Sequence, residues 1–399
     1  MSAGYGNGYG TGSMVLRRSP MRRAMARGSM FRRLDWVLLS AILGLTWLGT
    51  LLVWSATRPG LLQAGRDPES YLKKHLLTVS VGFVLALAVS MLDYRLIRAY
   101  APVVYVASCL GLVAVLTPLG STIKGHHSWI ELGGGFQLQP AEFGKVGLVM
   151  VLAVLLGEPR DGHTEPSTGD LLAGLALAGL VVVLIVMQPD LGTTMVLAVL
   201  IMAMVSVSGV SKRWLFSLVA AGVGAAVAGW QLHVLKAYQV DRFIAFAYPA
   251  ADPKGVGYNA AQARIAVGSG GVFGRGLFRG PQTAGHFVPE QHTDFIFTVA
   301  GEELGFVGSA LIVALLGVAL WRGLRIAINC ENSFGVLLAA GVVCWLGFQA
   351  FENIGMCLGL MPITGVPLPY LSYGGSATLA NMVALGLLQT VHVRQRTFV

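Results

Sequence analysis

Five ionisable side chains, Glu290, His292, Asp294, Glu302 and Glu303, fall within fourteen positions of a 399-residue chain of which only 12% is charged. They stand in F-V-P-E-Q-H-T-D-F-I-F-T-V-A-G-E-E-L-G-F-V-G, Phe287 to Gly308, where a polar segment over 235–294 meets an apolar run. Ionisable groups at the lip of a membrane span are costly to desolvate, so they are kept for chemistry or paired for structure. Asp294, beside apolar Phe295 and close to Phe297, suits a general base. It also stands where a loop becomes a helix, and as an N-cap it would contribute about 1 kcal/mol. The two roles are compatible. Neither Thr293 nor Asp294 has Glu or Gln three residues on, so no capping box is present. Glu290 and His292 are placed to orient Asp294 or to hold a cation, although a loop histidine near a carboxylate is more often a solvated hydrogen-bonder. Glu302 and Glu303 follow Asp294 at a distance of about 12–14 Å along a helix. That is too far to share its proton, and one of them is expected to form a buried ion pair with another span.

Basic residues supply the opposite charge. Q-P-A-E-F-G-K over 139–145 sets Glu142 and Lys145 three apart, on one helical face at the head of an apolar run. There the pair, with Gln139, is suited to line a polar cavity and contact an anionic headgroup. Lys124, and Arg264, Arg275 and Arg279 in the long polar segment, are further cations that fit a pyrophosphate; solvated loop charge is the plainer reading of any one of them. R-I-A-V-G-S-G-G-V-F-G-R-G over 264–276 lacks the spacing of a phosphate-binding glycine loop. It reads as a re-entrant or interfacial turn where backbones approach closely, and L-S-Y-G-G-S before the last apolar run reads likewise.

The elements that must hold these groups follow from composition. The chain is 55% hydrophobic, with a mean hydropathy of +0.68. A soluble domain carries about twice this share of charge. Continuous apolar runs exclude the alternating pattern of a barrel, leaving an all-α polytopic membrane protein. Ten spans are predicted at about 36–56, 75–92, 99–118, 141–157, 170–187, 191–208, 214–234, 295–320, 334–358 and 376–393. The large polar loop, 235–294, then lies between spans 7 and 8. Residues 1–33 read as a disordered basic tail, rich in arginine from Arg17 to Arg33, and 397–399 as a short C-terminal end. With both termini on one side, that side carries sixteen Lys and Arg against six in the shorter loops opposite. This asymmetry predicts cytoplasmic termini and an exterior Asp294. The tail suits anionic headgroups, and no folded reader of nucleic acid is visible. Cys109, Cys330, Cys344 and Cys357 lie in or near apolar runs without metal-ligand spacing and read as buried apolar residues.

Several motifs recur in a fixed order: Q-P-D-L-G-T at 188–193, A-V-G-S-G-G-V-F-G-R-G at 266–276, P-E-Q-H-T-D-F-I-F at 289–297 and E-E-L-G-F-V-G at 302–308. N-I-G-M at 353–356 and G-L-M-P-I-T-G-V-P-L-P-Y-L-S-Y-G-G-S at 359–376 follow. Over about 34–396 the chain resembles the SEDS family (shape, elongation, division, sporulation) of bacterial envelope proteins. P-I-T-G-V-P-L-P is similar to the elongation (RodA) branch rather than the division (FtsW) branch. The resemblance implies a ten-span peptidoglycan glycosyltransferase of the cytoplasmic membrane. Such an enzyme polymerises lipid II on the outer face and works with a class B penicillin-binding protein and other membrane proteins of the elongation complex. The family's essential aspartate, in H-T-D-F, maps to Asp294, and its Q-P-x-E-x-x-K motif to Gln139, Glu142 and Lys145. Three positions depart from the family. Ser128 precedes Trp129-Ile130 where an arginine is common; if that arginine contacts substrate, another cation such as Lys124 must replace it, or the contact is absent. Q-P-A-E stands for Q-P-S-E, and Glu352 stands where an apolar residue is expected.

Lipid II is an α-linked pyrophosphate and the polymer is β-1,4 linked, so the implied step is one inverting displacement. It needs a base for the acceptor hydroxyl and positive charge on the leaving pyrophosphate. Asp294 is the expected base. Lys145, Lys124, Arg264 or Arg275, with or without Mg²⁺ or another divalent cation, are expected at the pyrophosphate. Glu142 would keep Lys145 oriented. Two other readings stay open: a lipid II flippase, and a non-catalytic scaffold that activates its penicillin-binding protein.

Overall fold

The computed structural model describes residues 33–123, 126–133, 136–157, 166–231, 237–248 and 255–395. The chain divides into Met1–Leu34 and Asp35–Val399, and the helical bundle belongs wholly to the second unit. The expected tail, save for Arg33, and the expected C-terminal end lie outside the described residues, as does Lys124.

Nine helices are long and apolar enough to cross a membrane among the described residues. They are α1 (Trp36–Gln63), α2 (Ser70–Met91), α3 (Tyr94–Val115), α4 (Pro140–Gly157), α5 (Thr168–Val186), α7 (Lys212–Gln231), α12 (Gly305–Ile328), α13 (Ser333–Leu358) and α14 (Gly375–Arg394). A tenth apolar helix, α6 (Leu191–Val207), has 17 residues, still enough for a thin span. Nine of the ten predicted apolar runs each become one helix, and the eighth becomes two. Capping chemistry sets several starts. Asp35 accepts from the Leu38 amide at α1, Asp190 from Thr193 at α6 and Asn332 from Phe334 at α13. Asp35 also takes two bonds from Arg322 of α12, at 2.8 and 2.6 Å.

α4 is the most enclosed span, in contact with α3, α5, α6, α13 and α14. α14 packs on α2 and α1 packs on α12. No residue of α7 is buried.

Three regions differ from the sequence expectation. The eighth predicted span, 295–320, is two helices, α11 (Ile296–Glu303) and α12, broken at Gly305 with φ +65°. The long loop is partly helical, with α8 (Ala237–Ala247), α9 (Val256–Ser269) and the single turn α10 (Pro281–Ala284). Between α3 and α4, β1 (Ser121–Ile123), β2 (His126–Gly133) and β3 (Phe136–Leu138) form an antiparallel meander in that order. Its last strand delivers the chain to Gln139 and the head of α4.

Candidate active site

Asp294 sits in a tight turn just before α11. Glu290 takes φ +53°, and its carbonyl accepts from the Thr293 and Phe295 amides. The Thr293 hydroxyl lies 3.2 Å from the Glu290 carboxylate. Glu290 thus shapes the turn. The N-cap of α11 is Phe295, without a side-chain cap bond, so the capping role open to Asp294 in the sequence is not the one it takes. Asp294 is half-buried, and the residues that follow it, Phe295, Ile296 and Phe297, are buried.

The main chain at Asp294 is held from α13. Asn353 Nδ2 donates to the Asp294 carbonyl at 2.6 Å and to the Val366 carbonyl at 2.7 Å. Val366 belongs to a non-helical segment, 359–374, that turns back into the bundle. The Leu371 backbone rests on Gly49 in the middle of α1, where a Cβ would come within 2.5 Å of the Leu371 carbonyl. Irregular backbone survives at that depth only when protein groups satisfy it. Here side chains do so. Arg242 of α8 donates to the Thr364 carbonyl, Gln349 to that of Pro367, and Ser372 Oγ accepts from the Leu368 amide. Gly365, at φ +80°, lies against the acid, with a hypothetical Cβ 3.4 Å from Asp294 Oδ2.

Lys145 is 0% exposed, so it meets no solvent in this conformation. Its Nζ lies 2.8 Å from Glu142 Oε1 and 2.9 Å from Gln349 Oε1, and 5.0 Å from the centre of the Trp345 ring. Trp345 Nε1 donates to the same Gln349 oxygen at 2.7 Å. Trp345, Gln349 and Asn353 follow one another at four-residue spacing, which aligns them on one face of α13. This ladder joins Lys145 to the re-entrant segment and that segment to Asp294. Gln139 Nε2 reaches Asp190 Oδ2 at 3.4 Å, tying the head of α4 to the cap of α6.

The remaining sequence candidates divide. Arg264 and Arg275 are exposed. Arg264 lays its stem over Gly359, which ends α13 at φ +77°, and Arg275 donates to the Ser269 carbonyl at 2.8 Å. Arg279 is also exposed. Ser128 is buried in β2. The expected ion pair at Glu302 or Glu303 is not what the structure shows. Glu302 accepts from the Gln282 amide, the Thr283 amide and the Thr283 hydroxyl at 2.6–2.8 Å, capping α10. Glu303 accepts from Ser55 at 2.6 Å. Local amides and a hydroxyl therefore replace a cation. Glu352 is fully buried and neither carboxyl oxygen makes a hydrogen bond. Lys145, the cation acting on it, is already bonded to Glu142 and Gln349.

The glycine stretch is a backbone clasp. Arg275 and Gly276 amides donate to the Glu302 and Glu303 carbonyls, while Phe306 and Val307 donate to Gly271 and Val272. A Cβ on Gly274 would lie 2.1 Å from the Glu303 carbonyl. These amides serve the fold and are not available to a phosphate. Among the described residues no group of three or more His, Cys, Asp or Glu side chains is arranged to hold a metal ion. No step is therefore assigned to the divalent cation considered from the sequence.

Sequence reasoning gave no site role to Gln349, Asn353, Asp190, Arg242 or the rings around His292, although Asp190 and Asn353 stand inside the motifs Q-P-D-L-G-T and N-I-G-M. The amides of F-Q-A-F-E-N were the usable signal, because polar side chains four apart inside an apolar span must face a polar partner. Tyr71, His292 and Tyr373 pack together beside the turn. Burial pushes the Tyr373 phenol above its ordinary range, so it stays a neutral donor.

Residues 35–397 match the model of the FtsW, RodA and SpoVE group, described as a cell cycle protein family. A probable peptidoglycan glycosyltransferase FtsW from Trichlorobacter lovleyi is 37% identical over 358 residues, covering 90% of this chain and 92% of its own. The peptidoglycan glycosyltransferase MrdB of Escherichia coli is 33% identical over 363 residues, 91% of this chain and 94% of its own. Among solved structures, the rod shape determining protein RodA of Thermus thermophilus matches with a TM-score of 0.66 and 30% identity, over 91% of this chain and 98% of that one. A chain from a study of how a peptidoglycan synthase complex coordinates polymerisation and crosslinking matches at TM-score 0.74 and 31% identity, with the same coverage. On its motifs, its fold and these matches, the chain belongs to the FtsW/RodA/SpoVE family of cell cycle proteins, the SEDS family.

Proposed function

We propose that this chain is a peptidoglycan glycosyltransferase that polymerises lipid II into β-1,4 glycan on the outer face of the cytoplasmic membrane. Relatives that carry this activity in their names support it. The observation that carries it is the half-buried Asp294, whose main chain is tied through Asn353 to the segment that Gln349 joins to Lys145. Asp294 takes the proton from the acceptor sugar hydroxyl as that oxygen displaces the donor's pyrophosphate with inversion. A half-buried acid on an anchored turn is pre-positioned for this. The enclosed Lys145, its charge balanced by Glu142, keeps Gln349 on the re-entrant segment. The pyrophosphate meets Arg264 and Arg275, whose exposed side chains are held by their own helix or turn, and Arg242 at the segment's edge.

The charge asymmetry of the loops supports cytoplasmic termini and an exterior site. P-I-T-G-V-P-L-P supports the elongation branch, although both FtsW and MrdB stand among the relatives. The likeness to a chain of a peptidoglycan synthase complex supports a class B penicillin-binding protein as partner, with other elongation-complex proteins around it. The test is polymerisation of labelled lipid II by the purified protein, with and without that partner. Glycan from the wild type supports the proposal. Translocation of lipid II without polymer supports a flippase, and polymer made only by the partner supports a scaffold.

A further inference from the structure

Four rings that carry hydrogen-bonding groups gather beside the Asp294 turn. Tyr71 of α2, His292 of the turn and Tyr373 of the re-entrant segment form a closed triangle. Their centroids are 5.2 Å (Tyr71–His292), 5.1 Å (Tyr71–Tyr373) and 5.7 Å (His292–Tyr373) apart. All three are partly exposed. Beneath them His75, one helical turn beyond Tyr71, lies 5.8 Å from Tyr373. It is 2% exposed and neither ring nitrogen is hydrogen-bonded. The Tyr373 amide donates to the His292 carbonyl at 3.0 Å, which fixes the triangle to the turn that carries Asp294.

Packing alone does not call for this set. Phenylalanine would fill the same volume without a polar atom to desolvate, and a buried imidazole without partners weakens a fold unless something uses it. We propose that Tyr71, His292 and Tyr373 form a saccharide platform that receives the acceptor sugar ring of the lipid substrate. This rests on the glycosyltransferase reading and adds the subsite that reading lacks. A pyranose has a sheet of apolar C–H groups on one face and hydroxyls around its rim. Tyrosine matches it with an apolar face and a polar tip. A sugar stacked here brings its rim hydroxyls to Asp294, two residues from His292. The His75 nitrogens then serve a hydroxyl or a water at the floor.

The test compares two lipids on the purified full-length protein in nanodiscs. Lipid II carries the sugars, and undecaprenyl pyrophosphate has the same tail and charge without them. Tyr71→Ala is expected to weaken lipid II binding about tenfold, the scale of one aromatic stacking contact, and to leave undecaprenyl pyrophosphate binding unchanged. Tyr71→Phe is expected to retain lipid II binding, because the ring face carries the contact. Tyr71→Leu fills the site without a ring, and is expected to show the Ala loss should Tyr71→Ala fail to fold. Equal weakening for both lipids, or unaltered lipid II binding in the Ala and Leu variants, overturns the platform. Binding needs no turnover, so the outcomes separate. A wild type that prefers lipid II but makes no polymer contradicts the glycosyltransferase reading alone. A wild type that polymerises, with Tyr71→Ala unaffected in binding, contradicts the platform alone.

Discussion

Replacing Asn353 with leucine isolates the contact that holds the Asp294 turn to the re-entrant segment. Leucine keeps the branched shape but is bulkier, and its methyl groups cannot approach the two carbonyls as closely as a hydrogen-bonded nitrogen, so a steric cost adds to the polar loss. Asn353 donates two bonds from one nitrogen, at 2.6 Å to the Asp294 carbonyl and 2.7 Å to that of Val366. Its orientation is set by that pair of acceptors, since the reversed amide would place an oxygen against two carbonyls. Asn353 is 0% exposed, so water does not readily replace the lost donor. Each of the two stranded carbonyls costs about 1–3 kcal/mol, which makes the local polar loss roughly 2–6 kcal/mol. The helix pairs of the bundle pack mostly away from this turn, so global unfolding should move less than the turn does. A catalytic group shifted by about 1 Å loses on the order of a hundredfold in rate. Initial rates of glycan formation from labelled lipid II, read beside hydrogen exchange over 288–296 and 362–374, are the assay. Polymerisation is expected to drop by that order, with exchange accelerated in both segments. A variant within about threefold of wild type, with unchanged exchange, refutes the idea that this amide positions Asp294.

Three further perturbations read other parts of the site. Lys145→Met strands the buried Glu142 carboxylate and should cost about 3–5 kcal/mol in thermal unfolding; adding Glu142→Gln should restore most stability but not polymerisation. Glu302→Ala removes the acceptor of three bonds at α10. A loss of at least about 3 kcal/mol is expected, as bonds to a charged acceptor contribute about 1.5–3 kcal/mol each, with faster exchange over 278–285 as the readout. Gly365→Ala forces a side chain into φ +80° beside Asp294 Oδ2. The expected strain is about 1–2 kcal/mol, and the rate should fall well beyond what the change in melting temperature explains.

Much of the bundle was legible because apolar runs of span length leave the backbone only one way to satisfy itself in lipid. Every predicted run is helical, including the 17-residue α6, although the eighth is split in two. The break between α11 and α12 was hidden, since F-I-F-T-V-A-G-E-E-L-G-F reads as one apolar stretch. It is imposed from outside, by the backbone of Gly270–Gly276 pressing on Gly301–Gly305. The meander before α4 was hidden for another reason: its outer strands have three residues each, too few to show alternation. At the site, Asp294, Glu142 and Lys145 could be singled out by charge in an apolar setting. Their connection could not, because it runs through neutral amides and main-chain carbonyls of a segment whose depth depends on the fold. Glu302 misled for the same reason. A buried acid suggests a cation, yet two amides and a hydroxyl from a single helical turn satisfy it.

In the proposed mechanism Asp294 is the base of a lipid II polymerase. Asp294→Asn keeps the size and the main-chain bond to Asn353, while removing the ability to accept the acceptor's proton. The purified variant is expected to fold with the wild-type melting temperature, to bind lipid II, and to form no glycan from it. Polymer from Asp294→Asn at close to the wild-type rate would contradict the account.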